Sequence, residues 1–167
     1  MGRRVQLTLF VDPSESETIE AVRREYNPMQ YEIIGSHVTL CREDELMDLD
    51  AVIRNLVMLP REQVVIWFGR PVRFNDGKGV LLPAVEDEAF QRLRRNVLGG
   101  LPRSAEAHIT LMHPRNSMCT DAMFDAIRGM AFPEVLVFRE ICLIEQMSKE
   151  QPWRILERFD YNDYGVL

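Results

Sequence analysis

The sequence predicts an α+β fold: two pseudo-symmetric lobes whose antiparallel sheets line a central cleft, with helices outside. Two observations carry that expectation. First, the tetrapeptides His37-Val38-Thr39-Leu40 and His108-Ile109-Thr110-Leu111 share one pattern and use two of the 3 histidines. With the Thr and Leu content of this chain, a histidine gains Thr at +2 and Leu at +3 by chance about once in 300, so the pair is a signal. Second, the hydrophobic periodicity around each tetrapeptide reads strand, helix, motif strand, helix, strand. The two halves share little beyond the tetrapeptide, so the repeat is one of architecture.

Residues 4–11 alternate and are rich in β-branched and aromatic side chains, which predicts a strand. Asp12-Pro13-Ser14 turns the chain, and Ser14 with Glu17 fits a capping box for a helix through Ile19, Val22 and Tyr26. Asn27-Pro28 ends that helix, and residues 31–41 read as the first motif strand. Leu46, Leu49, Ile53 and Leu56 have helix spacing, after acidic residues placed where the dipole favours them; Leu59-Pro60 stops it. Residues 63–68 form a strand. In the second half, residues 71–76 and 79–85 flank the turn signal Asn75-Asp76-Gly77 and read as a hairpin. Phe90, Leu93 and Val97 mark a helix that Gly99-Gly100 terminates, and residues 106–112 hold the second motif. Thr120 caps a helix through Met123, Ile127 and Met130; residues 134–146 form one long strand, and residues 152–160 its partner.

The chain has 167 residues, of which 46% are hydrophobic and 28% charged, with a net charge of −6. That suits a single soluble domain over residues 1–167, with lobes of roughly 1–70 and 71–167 and no linker between them. Negative net charge excludes an extended nucleic-acid-binding face, though not a nucleotide or an RNA end in a locally positive cleft. No stretch approaches the roughly 20 apolar residues of a membrane span. Met1-Gly2-Arg3-Arg4 leads straight into a strand pattern, so neither a signal peptide nor membrane attachment is expected. Cys41, Cys119 and Cys142 show no CxxC spacing, which excludes a zinc or disulfide framework and suits buried thiols in a reducing cytoplasm.

In a strand, His and Thr of each tetrapeptide share one face, with Cα atoms about 6.5–7 Å apart, while the two apolar residues pack behind. An imidazole exchanges protons near neutral pH, and a hydroxyl beside it donates to an anionic oxygen. Two such pairs supply one acid, one base and two donors around one phosphate. The catalytic candidates are therefore His37, Thr39, His108 and Thr110. Arg42 and Arg115, at +5 and +7 from the histidines, are substrate-binding candidates because guanidinium grips phosphate bidentately, against the commoner reading as exposed arginines. Phe10, Trp67 and Phe74 are candidates for base stacking against core packing. His113 has the opposite strand parity from His108, with a rim or structural role weighed against substrate contact. Arg92, Arg94 and Arg95 read as a solvated helix face. Glu43 and Glu106 make no ligand spacing with the histidines, so no metal and no cofactor is expected.

The runs His-Val-Thr-Leu-Cys-Arg and His-Ile-Thr-Leu-Met-His-Pro-Arg, half a chain apart, resemble the two-histidine phosphoesterase superfamily, in particular its 2′-5′ RNA ligase-like and cyclic phosphodiesterase branch. The resemblance covers nearly the whole chain in its element order. It implies metal-independent chemistry at a 2′,3′-cyclic phosphate or a 2′-5′ phosphodiester, on a nucleotide or RNA end. One histidine is then the base and the other the acid, with the threonines on the non-bridging oxygens. Ligation at the same site, or a non-catalytic RNA- or nucleotide-binding module, are the alternatives.

Overall fold

Period-2 alternation of apolar residues builds nine strands among the described residues, 2–60 and 62–160 of this computed structural model. They are β1 (Arg4–Phe10), β2 (His37–Cys41), β3 (Val64–Phe68), β4 (Val72–Phe74), β5 (Gly79–Glu86), β6 (His108–Met112), β7 (Val135–Phe138), β8 (Glu140–Gln146) and β9 (Arg154–Asp160). The order is β7-β3-β5-β6-β2-β1-β8-β9, with β4 on β5, and the pairings are antiparallel. The helices are α1 (Glu17–Tyr26), α2 (Pro28–Ile33), α3 (Leu49–Val57), α4 (Glu88–Leu98) and α5 (Asp121–Arg128). Val38, Leu40, Ile109 and Leu111 pack in one core with Ile19, Val22, Val52, Leu56, Phe90, Leu93, Val97 and Ile127.

The two motif strands lie side by side at the middle of the sheet. They do not stand on opposed walls, as the sequence suggested. Val38 pairs with Ile109, and an approximate twofold axis runs between them. The symmetry is close. β1 pairs Thr8 with Thr39 and Leu7 with Cys41; β5 pairs Leu81 with Thr110 and Val80 with Met112. Each motif strand thus carries one extra residue, Leu40 or Leu111, at the same place. This bulge explains the fourth letter of the tetrapeptide. It breaks the alternation so that Leu40 and Cys41, and Leu111 and Met112, are both buried, giving the two strands the same burial pattern.

Four sequence expectations need correction. Residues 28–33 are helical: Pro28 starts a second helix after Asn27, which suits a residue whose φ is preset and whose missing N–H costs nothing there. Asp12, with its side chain accepting from the Ser14 N–H, caps a 3-10 turn, and α1 starts only at Glu17. Leu46 lies beyond a second 3-10 turn (Glu43–Glu45), and α3 begins at Leu49 under the Asp48 cap. The run at 134–146 splits at Arg139: β7 pairs with β3, whereas β8 pairs with β1 and β9. The Thr120 and Gly99 caps stand where expected, with Gly99 at φ 76°.

The split at Arg139 also redraws the lobes. One half of the sheet is β1, β2, β8 and β9; the other is β3, β5, β6 and β7 with β4. Each motif strand therefore stands among strands drawn from both halves of the chain, and a division near residue 70 cuts across both. No helix of the described residues is long and apolar enough to cross a membrane. Cys41, Cys119 and Cys142 are buried and free, and burial pushes the Cys41 and Cys142 thiols up to about 12.

Arg94 does not belong to a solvated face. It is 1% exposed and ties α4 to the first motif, donating to the Leu40 carbonyl at 2.6 Å, the Arg103 carbonyl at 3.1 Å and the Glu45 carboxylate at 2.7 Å. Removing the carboxylate leaves a buried cation without its counter-charge. Glu45→Ala is expected to cost about 3 kcal/mol in urea unfolding, far above the ~0.5 kcal/mol of an ordinary surface change.

Candidate active site

Continuing the Val38–Ile109 register one step each way sets His37 beside Thr110 and Thr39 beside His108. All four side chains share the face opposite the core. Directly opposed residues stand about 4.5–5.5 Å apart at Cβ and the diagonal pair about 7–8 Å. Each imidazole thus neighbours the other motif's hydroxyl, and the two imidazoles flank the space between. A cleft of about 450 Å³ opens above them, lined by His37, Thr39, His108 and Thr110.

Backbone geometry sets the same tautomer on both rings. His37 Nδ1 lies 2.8 Å from the Gly35 carbonyl and His108 Nδ1 2.9 Å from the Glu106 carbonyl, in each case two residues upstream. A carbonyl only accepts, so Nδ1 carries the hydrogen and Nε2 is left for proton transfer. The surroundings then differ. Burial pushes His37 down to about 4; the Gly35 hydrogen bond opposes this, and positive charge from Arg23, His108 and His113 adds to it. His37 is therefore neutral at neutral pH.

The hydroxyls differ too. Gln6 donates through Nε2 to the Thr8 hydroxyl at 2.8 Å and to the Thr39 hydroxyl at 3.2 Å. With its acceptor side engaged, Thr39 turns its own O–H away from Gln6. Gln6 lines the cleft and positions Thr39. Its signal lay in the alternation Arg4-Val5-Gln6-Leu7-Thr8, a polar face on a strand that reads as central.

The structure brings Arg42, His113 and Arg115 to the cleft. His113 does not turn its Nδ1 to the cleft: that atom accepts the Arg115 backbone N–H at 3.1 Å, while the His113 N–H donates to the Asn27 side chain at 2.7 Å. Burial first, then the charges of Arg115, Arg4 and His108, push His113 down to about 4. Phe10 is not a cleft residue. It meets the His37 ring edge-on, centroids 6.1 Å apart at 62°, and lines a separate hollow with Gly35 and Ser36. Trp67 and Phe74 are also absent from the cleft lining; Phe74 packs where a Cβ on Gly79 would sit. Arg4, Arg23, Gln30 and Trp153 line the cleft unforeseen. Trp153 comes from the β8–β9 connection and Arg23 from α1, a juxtaposition no local pattern announces. Among the described residues no three His, Cys, Asp or Glu side chains gather as metal ligands.

No family model matches the chain, and no curated protein matches its sequence. Solved structures do match. LigT from E. coli in apo form superposes with a TM-score of 0.67 at 13% identity, covering 98% of this chain and 99% of that one. This is the LigT fold. LigT complexed with phosphate gives a TM-score of 0.67 at 14% identity over 97% of this chain and 99% of that one; a protein described as a phosphoesterase gives 0.67 at 13% over 96% and 99%. LigT has also been solved with ATP and with 3′-AMP. At 13–14% identity the likeness is one of fold, and the paired tetrapeptides lie on its two neighbouring central strands.

Two outcomes follow from the site's electrostatics and its hydrogen bonds. Between pH 6.5 and about 4 the unfolded chain protonates its histidines while folded His37 and His113 stay neutral. Stability then rises with pH through that window and is lost as pH falls through it. Urea midpoints should drop from pH 7 to 5, and the drop should shrink in His37→Asn/His113→Asn. Gln6→Leu is expected to lower kcat about tenfold by releasing the Thr39 hydroxyl, and to cost about 1–3 kcal/mol in urea unfolding because the buried Thr8 hydroxyl loses its partner.

Proposed function

We propose that this protein is a metal-independent phosphoesterase that hydrolyses a 2′,3′-cyclic phosphate or a related phosphodiester on a nucleotide or RNA end. The observation that carries the reading is the antiparallel pairing of the two motifs, which gives one anion-sized space two imidazole Nε2 atoms and two hydroxyls. The phosphate and nucleotide complexes of LigT support a nucleotide substrate in this fold.

His37, neutral above about pH 4, is the general base. Its Nε2 takes a proton from water as the water oxygen bonds to phosphorus. The P–O bond to one ribose oxygen breaks, and His108 gives that oxygen its proton. Thr39 and Thr110 donate to the two non-bridging oxygens, where charge grows in the transition state. The product is a phosphomonoester beside a free hydroxyl, and the site resets when His37 releases its proton and His108 takes one up. No step calls on a metal, because the imidazoles carry both proton transfers.

The test is turnover of a nucleoside 2′,3′-cyclic phosphate in EDTA, with and without a 5′-hydroxyl acceptor. The expected product is the monophosphate. A joined product would favour ligation, and loss of activity restored by zinc would overturn the mechanism. His37→Ala and His108→Ala should each lower kcat by about 10²–10⁴-fold, and unchanged turnover in either sinks the two-histidine reading. The pH profile of kcat/KM should be bell-shaped, its acid limb set by His37 near 4 and removed in His37→Ala.

A further inference from the structure

The cleft holds more positive charge than one phosphodiester needs. A cyclic phosphate carries one negative charge and two non-bridging oxygens, and Thr39 and Thr110 already offer two donors. Yet Arg4, Arg23, Arg42 and Arg115 line the same cleft. Arg23 is engaged by Glu20 at 2.6 Å. Among the described residues, Arg4 and Arg115 make no ion pair. The carboxylates of the lining are Glu43 and Asp44, and Asp44 is gripped by both ends of the Arg103 guanidinium at 2.8 and 2.9 Å.

Arg4 is held in place. Its Nη2 donates to the Gln146 side chain, and its guanidinium lies 5.0 Å over the Trp153 ring. Gln146 is 1% exposed and locked by its own donation to the Lys149 and Gln151 carbonyls at 3.1 and 2.8 Å. Trp153 in turn packs on Ile34, Cys142 and Ile144, and its N–H donates to the Ile33 carbonyl at 2.9 Å. Trp153 is thus a pedestal for a cation, with one face already covered.

Arg115 sits on a loop pinned by buried side chains. Asn27, 1% exposed, accepts from the His113 N–H and donates to Asn116 at 2.8 Å; Asn116 donates to Gln30 at 2.9 Å. Among the described residues the Arg115 guanidinium has no side-chain partner. Burial and the charge of Arg4 hold it below its ordinary range, and the charges acting on it and on His113 are all positive. In a chain of net charge −6, a pinned Arg4 and a loop-borne Arg115 that share one cleft, neither paired with a carboxylate among the described residues, mark a place for an anion.

We propose that Arg4 and Arg115 form a second phosphate subsite beside the two-histidine centre, so that the preferred substrate is a nucleotide bearing a further phosphate besides the one cleaved. The inference rests on the phosphoesterase reading above for its orientation. Guanidinium forks suit this role, since each presents two parallel donors to a phosphate.

The experiment compares kcat/KM for adenosine 2′,3′-cyclic phosphate with and without a 5′-phosphate, and for a dinucleotide ending in the cyclic phosphate. The second phosphate is expected to raise kcat/KM tenfold or more. Arg4→Gln and Arg115→Gln should each reduce that ratio at least fivefold, mainly through KM, with Arg4→Lys between them and the wild type. Equal preference for the dinucleotide assigns the second phosphate to an RNA chain; preference for the terminal phosphate alone assigns it to a small nucleotide. A wild-type ratio near one overturns the subsite, as does an equal loss on all substrates in the variants, which places the arginines at the reacting phosphate. Calorimetry with adenosine 3′,5′-bisphosphate and 3′-monophosphate separates the two claims. If no cyclic substrate is turned over but the bisphosphate binds tenfold tighter in an Arg4-dependent way, the subsite stands and the phosphoesterase reading falls. Equal binding overturns the subsite whatever the activity.

Discussion

The pairing of Val38 with Ile109 is the constraint on which the site depends. Both are fully buried valine-like side chains facing the helices, so the parity of each motif strand is fixed from behind. A slip of one residue would turn both histidines into the core and both aliphatic residues into water. The large cost of that slip is what fixes the face that carries the histidines and threonines. The bulges at Leu40 and Leu111 reinforce it, because each commits two consecutive residues to the interior just past the threonine. The tetrapeptide is therefore a structural unit as much as a chemical one: two letters face the cleft and two anchor the register.

The charge distribution runs against the composition. Acidic residues outnumber basic ones 26 to 20, yet the cleft collects four arginines and all three histidines. Most acidic side chains near it are occupied elsewhere, Asp44 by Arg103, Glu45 by Arg94 and Glu20 by Arg23. A protein can be negative overall, and so repel long polyanions, while keeping one pocket where a short anion replaces absent counter-charge.

The sequence reading was strong where the signal was local and weak where the chain changes partner. Motif placement, parity, the Thr120 and Gly99 caps and the central four residues were legible because alternation and spacing encode them directly. Helix α2 is not, since Tyr31, Ile33 and Ile34 look equally apt in a strand, although Pro28 at its first position is a local start signal. The break at Arg139 was invisible for another reason. The run stays rich in strand-forming apolar residues on both sides of Arg139, so nothing local marks the change of partner. That break carries β8 and β9 to the first motif's side, and with them Trp153, Gln146 and the pedestal of Arg4. Residue type alone leaves Phe10 a candidate for base stacking or for packing; strand pairing sets it against the His37 ring, outside the cleft lining.

A twofold scaffold presents a problem that the site must solve. Identical backbones give His37 and His108 the same carbonyl partner and the same tautomer, yet the acid–base mechanism proposed above requires one proton fewer on one of them. The distinction has to come from what the axis does not repeat. On one side stand the Phe10 ring edge against His37 and the charge of Arg23, and burial with that charge holds His37 down. The position facing His108 that corresponds to Phe10 is Pro83, which offers no aromatic edge. Gln6 likewise binds Thr39, while its counterpart position two residues before Leu81 is Gly79, which has no side chain to bind Thr110. Symmetry supplies the pair of imidazoles; the departures from it, all contributed by residues outside the tetrapeptides, are what the proposed assignment of base and acid rests on.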